Sequence, residues 1–204
     1  MRTDRIEREQ AMIDHDRRFW ENCARVAGMD EAGRGPLAGN VVAACVIMPP
    51  EPVLDWVDDS KKLSAMRREQ VYEQIMKTAL FMGVGRASAQ EIDEINILQA
   101  TMNAMRRAAA GAQANIYLID AVKNLGLDGP EVPIIHGDAV SYSIAAASIV
   151  AKVTRDRELV QLDALYPQYG FAKHKGYGTA EHIAAIQKYG PCPEHRMTFI
   201  GKFL

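Results

Sequence analysis

Cysteine is scarce. Three cysteines in 204 residues, Cys23, Cys45 and Cys192, are too few and too scattered for a disulfide framework, and no C-x-x-C pair occurs. A zinc ribbon is excluded on the same ground, and a reducing compartment, the cytoplasm, is expected. H-E-x-x-H and a Walker loop are also missing, and His136, His174 and His195 are not spaced as metal ligands. His15 and His182 read as helix-surface residues. A strong charge of one sign is lacking too. The net charge of −2 leaves nucleic-acid binding to a local basic face rather than to composition. No apolar run approaches the roughly 20 residues of a membrane span. The first twenty residues, MRTDRIEREQAMIDHDRRFW, are charged throughout and have no apolar core of a secretory signal. A membrane association is therefore not expected.

What is present is a chain that is 48% apolar, enough for one sizeable core. Residues 4–23 read as a polar N-terminal helix with Ile6, Ile13 and Trp20 at helical spacing, an extension (1–24) ahead of a single domain (25–204). Short apolar runs follow at 25–29, 40–48 (NVVAACVIM), 81–88, 115–120 (NIYLID) and 132–137, each read as a strand. Helices are expected at 65–79, capped by Ser64, at 89–110 with a break near Ile95–Asn96, at 141–162, and at 180–189, capped by Thr179. That order suits a mixed α/β sheet of five strands flanked by helices, with a small C-terminal helical part from about 165 onward.

Three of the strands finish in acids: Asp30 and Glu31 after the first, Asp120 after the fourth, Asp138 after the fifth. Sites in α/β sheets gather outside the carboxyl ends of strands. If strands one, four and five are adjacent and parallel, the four carboxylates converge. A cluster of like charges needs a cation, and hard oxygen donors suit Mg²⁺ or Mn²⁺ better than zinc. Two such ions roughly 4 Å apart can activate water and stabilise the leaving oxygen of a phosphodiester. Asp58 and Asp59 read as loop acids. Asp156 and Glu158 read as members of solvated ion pairs with Arg155 and Arg157, not as primary ligands.

Around the acids stand candidate substrate contacts. Gly33, Arg34 and Gly35 leave backbone N–H groups bare enough to meet sugar or phosphate. Ser60, Lys61 and Lys62 are candidates to hold phosphates. Tyr177, between Gly176 and Gly178 and beside Lys173, His174 and Lys175, is a candidate stacking or sugar-contact ring.

The segments MDEAGRGPLAG, DSKKLS, NILQATM, YLID, the Gly137–Asp138 pair ahead of SIAAASIVAKVTRD, and HKGYGT, in this order, resemble the bacterial ribonuclease HII family, the type 2 ribonucleases H, from about Val26 to Phe199. The resemblance implies a ribonuclease H-like fold. It implies metal-dependent cleavage of RNA in RNA–DNA hybrids and incision of DNA duplexes 5′ to a single embedded ribonucleotide, with 3′-hydroxyl and 5′-phosphate ends. It places the four catalytic and metal-binding carboxylates on Asp30, Glu31, Asp120 and Asp138. It puts the element that reads the 2′-hydroxyl on Gly33, Arg34 and Gly35, and the junction-sensing tyrosine on Tyr177. The chain departs from the family pattern at Asn40, where proline is commoner, Ala121, where glycine is usual, Val140, in place of a base, and Met197, in place of an arginine. None of these removes a metal ligand. The related ribonuclease HIII would carry a large N-terminal substrate-binding domain and a glutamate as fourth acid, and Asp138 argues against it. Nothing in the sequence signals assembly, so a monomer is expected, and the short C-terminal GKFL gives no support for a sliding-clamp partner.

Overall fold

The computed structural model describes residues 2–204, with side chains from Thr3 onward. Strand β1 (Val26–Ala32) pairs antiparallel with β2 (Val41–Ile47), which pairs antiparallel with β3 (Phe81–Ala87). On its other edge β1 pairs in parallel with β4 (Ile116–Asp120), and β4 with β5 (Glu131–Ile134), so the sheet order is β3-β2-β1-β4-β5. The five expected strands are all present, and β1, β4 and β5 are adjacent and parallel, as the convergence of their acids requires.

Helix α2 (Ala65–Thr78) and α4 (Tyr142–Leu165) cover one face of the sheet, and α3 (Ala89–Ala109) covers the other. The reason lies in β2, whose seven residues are all buried, so both faces need a helix. Ser64 caps α2 and Ser88 caps α3 by accepting from Arg67 N and Glu91 N. The expected break in α3 falls on Asn96, at φ 68° and ψ 163°; its side chain then caps the second half by accepting from Leu98 N and Gln99 N at 3.0 and 3.1 Å. Gly28 marks where α4 lies hard on β1. A Cβ there would sit 2.0 Å from the backbone carbonyl of Ser143, so glycine is the residue that lets sheet and helix touch.

Three short helices, α5 (Phe171–His174), α6 (Ala180–Tyr189) and α7 (Met197–Ile200), form the C-terminal part, with Thr179 capping α6 as expected. Phe203 packs with Leu37, Ile186 and Ile200, while Leu204 is exposed. No helix of the described residues is long and apolar enough to cross a membrane.

Two elements differ from the sequence reading. Strand β1 does not stop at Met29 but continues through Asp30 and Glu31, because β2 keeps pairing with it (Asp30 with Ala44, Glu31 with Ala43) after the apolar run has ended. The N-terminal helix, α1 (Arg2–Trp20), buries Met12 and Asp16 while Ile6 stays half exposed. Its docking face is therefore polar as well as apolar. The Asp16 carboxylate accepts from Ser143 N at 2.7 Å and Ser141 Oγ at 3.0 Å, placing a negative charge at the start of α4.

Candidate active site

The β1 extension sets the site. Asp30 and Glu31 leave neighbouring positions of one strand, and both are desolvated. Burial, then Glu31 and Asp120, push the Asp30 carboxyl well above the usual range. Burial raises Glu31 to about 7, against the pull of Arg34, whose guanidinium lies 3.5 Å from its carboxylate. Asp120, at the end of β4, is raised by burial and by Asp138, and its Oδ1 accepts from Gly137 N at 2.7 Å. Asp138 stands in a 3-10 turn (Gly137–Ala139) just before α4 and is buried. Lys61 Nζ approaches Asp138 Oδ2 at 3.3 Å. Burial pulls the ammonium down, but Asp138 outweighs it and holds Lys61 above its ordinary value.

So the structure brings all four acids into one electrostatic field. They do not form a closed cage: among the described residues no group of three or more His, Cys, Asp or Glu side chains is arranged to hold a metal ion. The chemistry of the donors nevertheless fits a hard divalent cation. All are carboxylates, the β1 pair is buried against its own repulsion, and Glu31 Oε2 is buried with no hydrogen-bond partner among the described residues.

Beside Asp30 and Glu31 opens a cavity of about 270 Å³. Gly33, Arg34 and Gly35 form one wall and Tyr177, which is 48% exposed, faces them; a methyl on Gly35 would stand 3.8 Å from Tyr177 Cε1. Lys61 lines the cavity as well. Ser60 does so from beneath, its hydroxyl paired with Ser148 Oγ at 2.9 Å in the buried interior. Lys62 is not brought to the cavity; it faces Asp59 at 3.8 Å.

The sequence reading missed the residues that shape this wall. The sequence pattern pairs Arg155 with the acids beside it on the helix. Arg155 is instead fully buried, and its guanidinium donates to the carbonyls of Asn40, Lys175 and Ala38 at 3.0, 3.0 and 3.1 Å. The neighbouring acids find other cations: Asp156 pairs with Lys152 and Arg68, Glu158 with Arg86, and Arg157 reaches Glu69 and Glu73 on α2. Gly33, at φ +96°, lies flat on Arg155; a Cβ would meet Nε at 2.0 Å.

Arg196 is the second clamp. It is fully buried and makes five bonds to backbone oxygens: Gly33 at 2.6 Å, Arg34 at 2.9 Å, Pro36 at 2.8 Å, and Gly39 at 2.8 and 3.1 Å. Burial pulls both guanidiniums down, Arg196 to about 9. The carbonyl ring compensates, because a planar fork with five donors can be satisfied in full. A basic residue whose partners are backbone oxygens leaves no mark in sequence spacing.

At Ala121 the chain adopts φ +52°, directly after Asp120. That is the left-handed conformation that glycine takes without strain and alanine does not.

A five-stranded mixed sheet in this order, with acids at or just beyond the ends of three neighbouring parallel strands and a cavity beside two of them, is the arrangement of the ribonuclease H class of nucleases. Ribonuclease H2 from Pyrococcus horikoshii matches it at a TM-score of 0.76 and 26% identity, over 88% of this chain and 96% of that one. The structure described as a PCNA:RNase HII complex from Archaeoglobus fulgidus matches at 0.72 and 27% identity, over 85% and 94%. The chain belongs to the ribonuclease HII family, whose model, Ribonuclease HII, matches residues 27–202. Ribonuclease HII of Ruminiclostridium cellulolyticum is 50% identical over 202 residues, 98% of this chain and 79% of that protein. That of Geotalea daltonii is 55% identical over 180 residues, 87% and 83%. The activity is accordingly that of a ribonuclease H, an endonuclease acting on RNA in RNA–DNA hybrids.

Proposed function

We propose that this chain also incises DNA duplexes on the 5′ side of an embedded ribonucleotide, leaving 3′-hydroxyl and 5′-phosphate ends, and so serves ribonucleotide removal from DNA. Asp30, Glu31, Asp120 and Asp138 would hold two divalent cations, Mn²⁺ or Mg²⁺. The observation that carries the reading is the adjacent pair Asp30–Glu31, desolvated together and offset only in part by Arg34, opening onto the Gly33–Gly35 wall. Bound there, divalent cations supply Lewis acidity to the attacking water and to the leaving oxygen.

The chain's own groups do the rest. RNA differs from DNA by its 2′-hydroxyl, and the Gly33–Gly35 backbone, without a Cβ at either glycine, held by Arg196 at the Gly33 and Arg34 carbonyls and backed by Arg155 against Gly33, would read it. Tyr177 stands opposite, where its ring can lie under the neighbouring sugar and accept deoxyribose. Lys61, kept cationic by Asp138, and Arg34 are placed to draw the phosphate. Ser60 supports that corner through Ser148. Lys62, exposed and 3.8 Å from Asp59, would meet the phosphate backbone outside the cavity. The chain is read as a monomer, and the partly buried Phe203, packed with Leu37, Ile186 and Ile200, adds no support for a sliding-clamp partner.

Tyr177→Ala tests the junction part. Cleavage at a single ribonucleotide in duplex DNA should fall about 10- to 100-fold, the worth of one stacked aromatic contact, with long-hybrid cleavage reduced much less. An equal loss on both substrates would assign Tyr177 to general binding instead.

A further inference from the structure

Behind Tyr177 lies a stack of histidines that touches neither the carboxylates nor the cavity. His182, read from the sequence as a surface residue, is fully buried, as is His195; His174 stacks on His182 at 4.3 Å between ring centroids, and Phe171 packs edge-on to His182. A helix this short is covered on two sides, by α5 and by the 192–196 segment, so its polar pattern does not predict exposure.

The partners fix where each proton sits. Cys192 N, which can only donate, points at His195 Nδ1 at 2.9 Å. The Cys192 thiol at 3.1 Å and the Cys192 carbonyl at 3.3 Å face the same nitrogen, the thiol as a second donor and the carbonyl at longer range. His195 Nδ1 is therefore an acceptor and its proton is on Nε2. Nε2 lies 3.0 Å from His182 Nε2, so it donates and His182 accepts. That leaves the His182 proton on Nδ1, 2.9 Å from Tyr177 O, which can only accept. By the same logic Gly176 N donates to His174 Nδ1 at 3.2 Å, and His174 Nε2 donates to Tyr169 O at 2.7 Å. His182 and His195 are thus neutral, each in one tautomer. Burial supports this, lowering His182 and bringing His195 down to about 4.

We infer that the directional chain from Cys192 N–H through His195 and His182 to the Tyr177 carbonyl positions the Tyr177 ring against the Gly33–Gly35 wall, which makes His182 and His195 positioning residues for junction selection. The same segment is tied to that wall. Leu37 N donates to Gly176 O at 2.8 Å, Arg196 N to Leu37 O at 2.9 Å, and Ala38 bridges His195. Gly176, at φ +79°, permits the contact, since a Cβ would meet Ala38 O at 2.7 Å. The relay thus joins the two readers of the substrate. It rests on Tyr177 being the junction reader.

Two measurements test it. Long-range ¹H–¹⁵N correlation of the histidine rings at pH 7 in the wild-type protein should show His182 protonated on Nδ1 and His195 and His174 on Nε2. The opposite tautomer at His182 or His195, or a charged ring there, overturns the inference without any substitution. In cleavage assays, His182→Phe keeps the stacking and removes both nitrogens; it should lower the ratio of single-ribonucleotide to long-hybrid cleavage about ten-fold, as expected for one buried hydrogen bond. His182→Asn, whose amide N–H takes the place of Nδ1–H, should recover most of that ratio. If Tyr177→Ala lowers the ratio and His182→Phe does not, positioning by His182 is overturned while the reading of Tyr177 stands. If neither variant lowers it, the reading of Tyr177 fails and the inference falls with it.

Discussion

Asp30→Asn should make the metal-free protein more stable while cutting cleavage about a thousand-fold. Asn keeps the shape of the side chain and the acceptor that takes Glu31 N at 2.7 Å, but removes a buried charge that faces Glu31 and Asp120. The expected gain is on the order of 1–2 kcal/mol, a rise in melting temperature of about 4 °C in EDTA for a chain of this size. Loss of a proposed metal ligand removes stabilisation of the charge that develops in the reaction, hence the loss of rate. Mn²⁺ should reverse the order of stabilities, because a ligand that binds only the folded wild type stabilises it by mass action. A site evolved for function and carrying strain in its resting state predicts this opposition of stability and activity. A melting temperature for Asp30→Asn below that of wild type in EDTA would contradict it.

The sign can be checked with pH. Glu31 is raised from 4.5 to about 7, so between those values the folded state binds more protons than the unfolded state, and this group's contribution to stability falls as pH rises. Measured in EDTA, the stability of Glu31→Gln minus that of wild type should be near zero at about pH 4.5, grow through pH 7 by about 3 kcal/mol, and then level off. Taking the difference cancels the buried histidines, whose lowered values contribute with the opposite slope.

The second large effect is at Arg196. Arg196→Met should cost about 3–5 kcal/mol, because the buried carbonyls of Pro36 and Gly39 and the part-buried ones of Gly33 and Arg34 lose their donors together. Arg196→Lys should recover little. A single ammonium cannot span oxygens that a planar guanidinium reaches from three nitrogens. Cleavage should fall with stability, since the same carbonyls belong to the Gly33–Gly35 wall. A denaturation midpoint within about 1 kcal/mol of wild type would show that the ring of carbonyls is satisfied in some other way.

Much of this arrangement is written in local chemistry. Apolar runs that end in acids located Asp30, Glu31, Asp120 and Asp138, and the parallel pairing of β1, β4 and β5 brings them together. Ser64 and Thr179 announce helix starts, and Asn96 the kink in α3, because caps and left-handed residues are local events. What stayed hidden has a common cause: its partners are backbone atoms or come from far along the chain. Arg155 and Arg196 bind carbonyls. His182 is buried by α5 and the 192–196 segment. Asp16 serves Ser141 and Ser143 more than a hundred residues away, so α1 looks solvated in its own sequence. Strand β1 outlasts its apolar run because β2 supplies the pairing.

The central claim is that these four carboxylates make a metal-dependent nuclease that recognises a lone ribonucleotide. The most direct test is an end-labelled DNA duplex carrying one ribonucleotide, incubated with the protein in Mn²⁺ or Mg²⁺, beside an EDTA control and the Asp120→Asn variant. The account predicts one nick, 5′ to the ribonucleotide, with a 3′-hydroxyl end, absent from both controls. A nick of the same strength in EDTA or in Asp120→Asn would contradict the metal site. An uncut duplex together with a cleaved long RNA–DNA hybrid would contradict the assignment of Gly33–Gly35 and Tyr177 as readers of the junction.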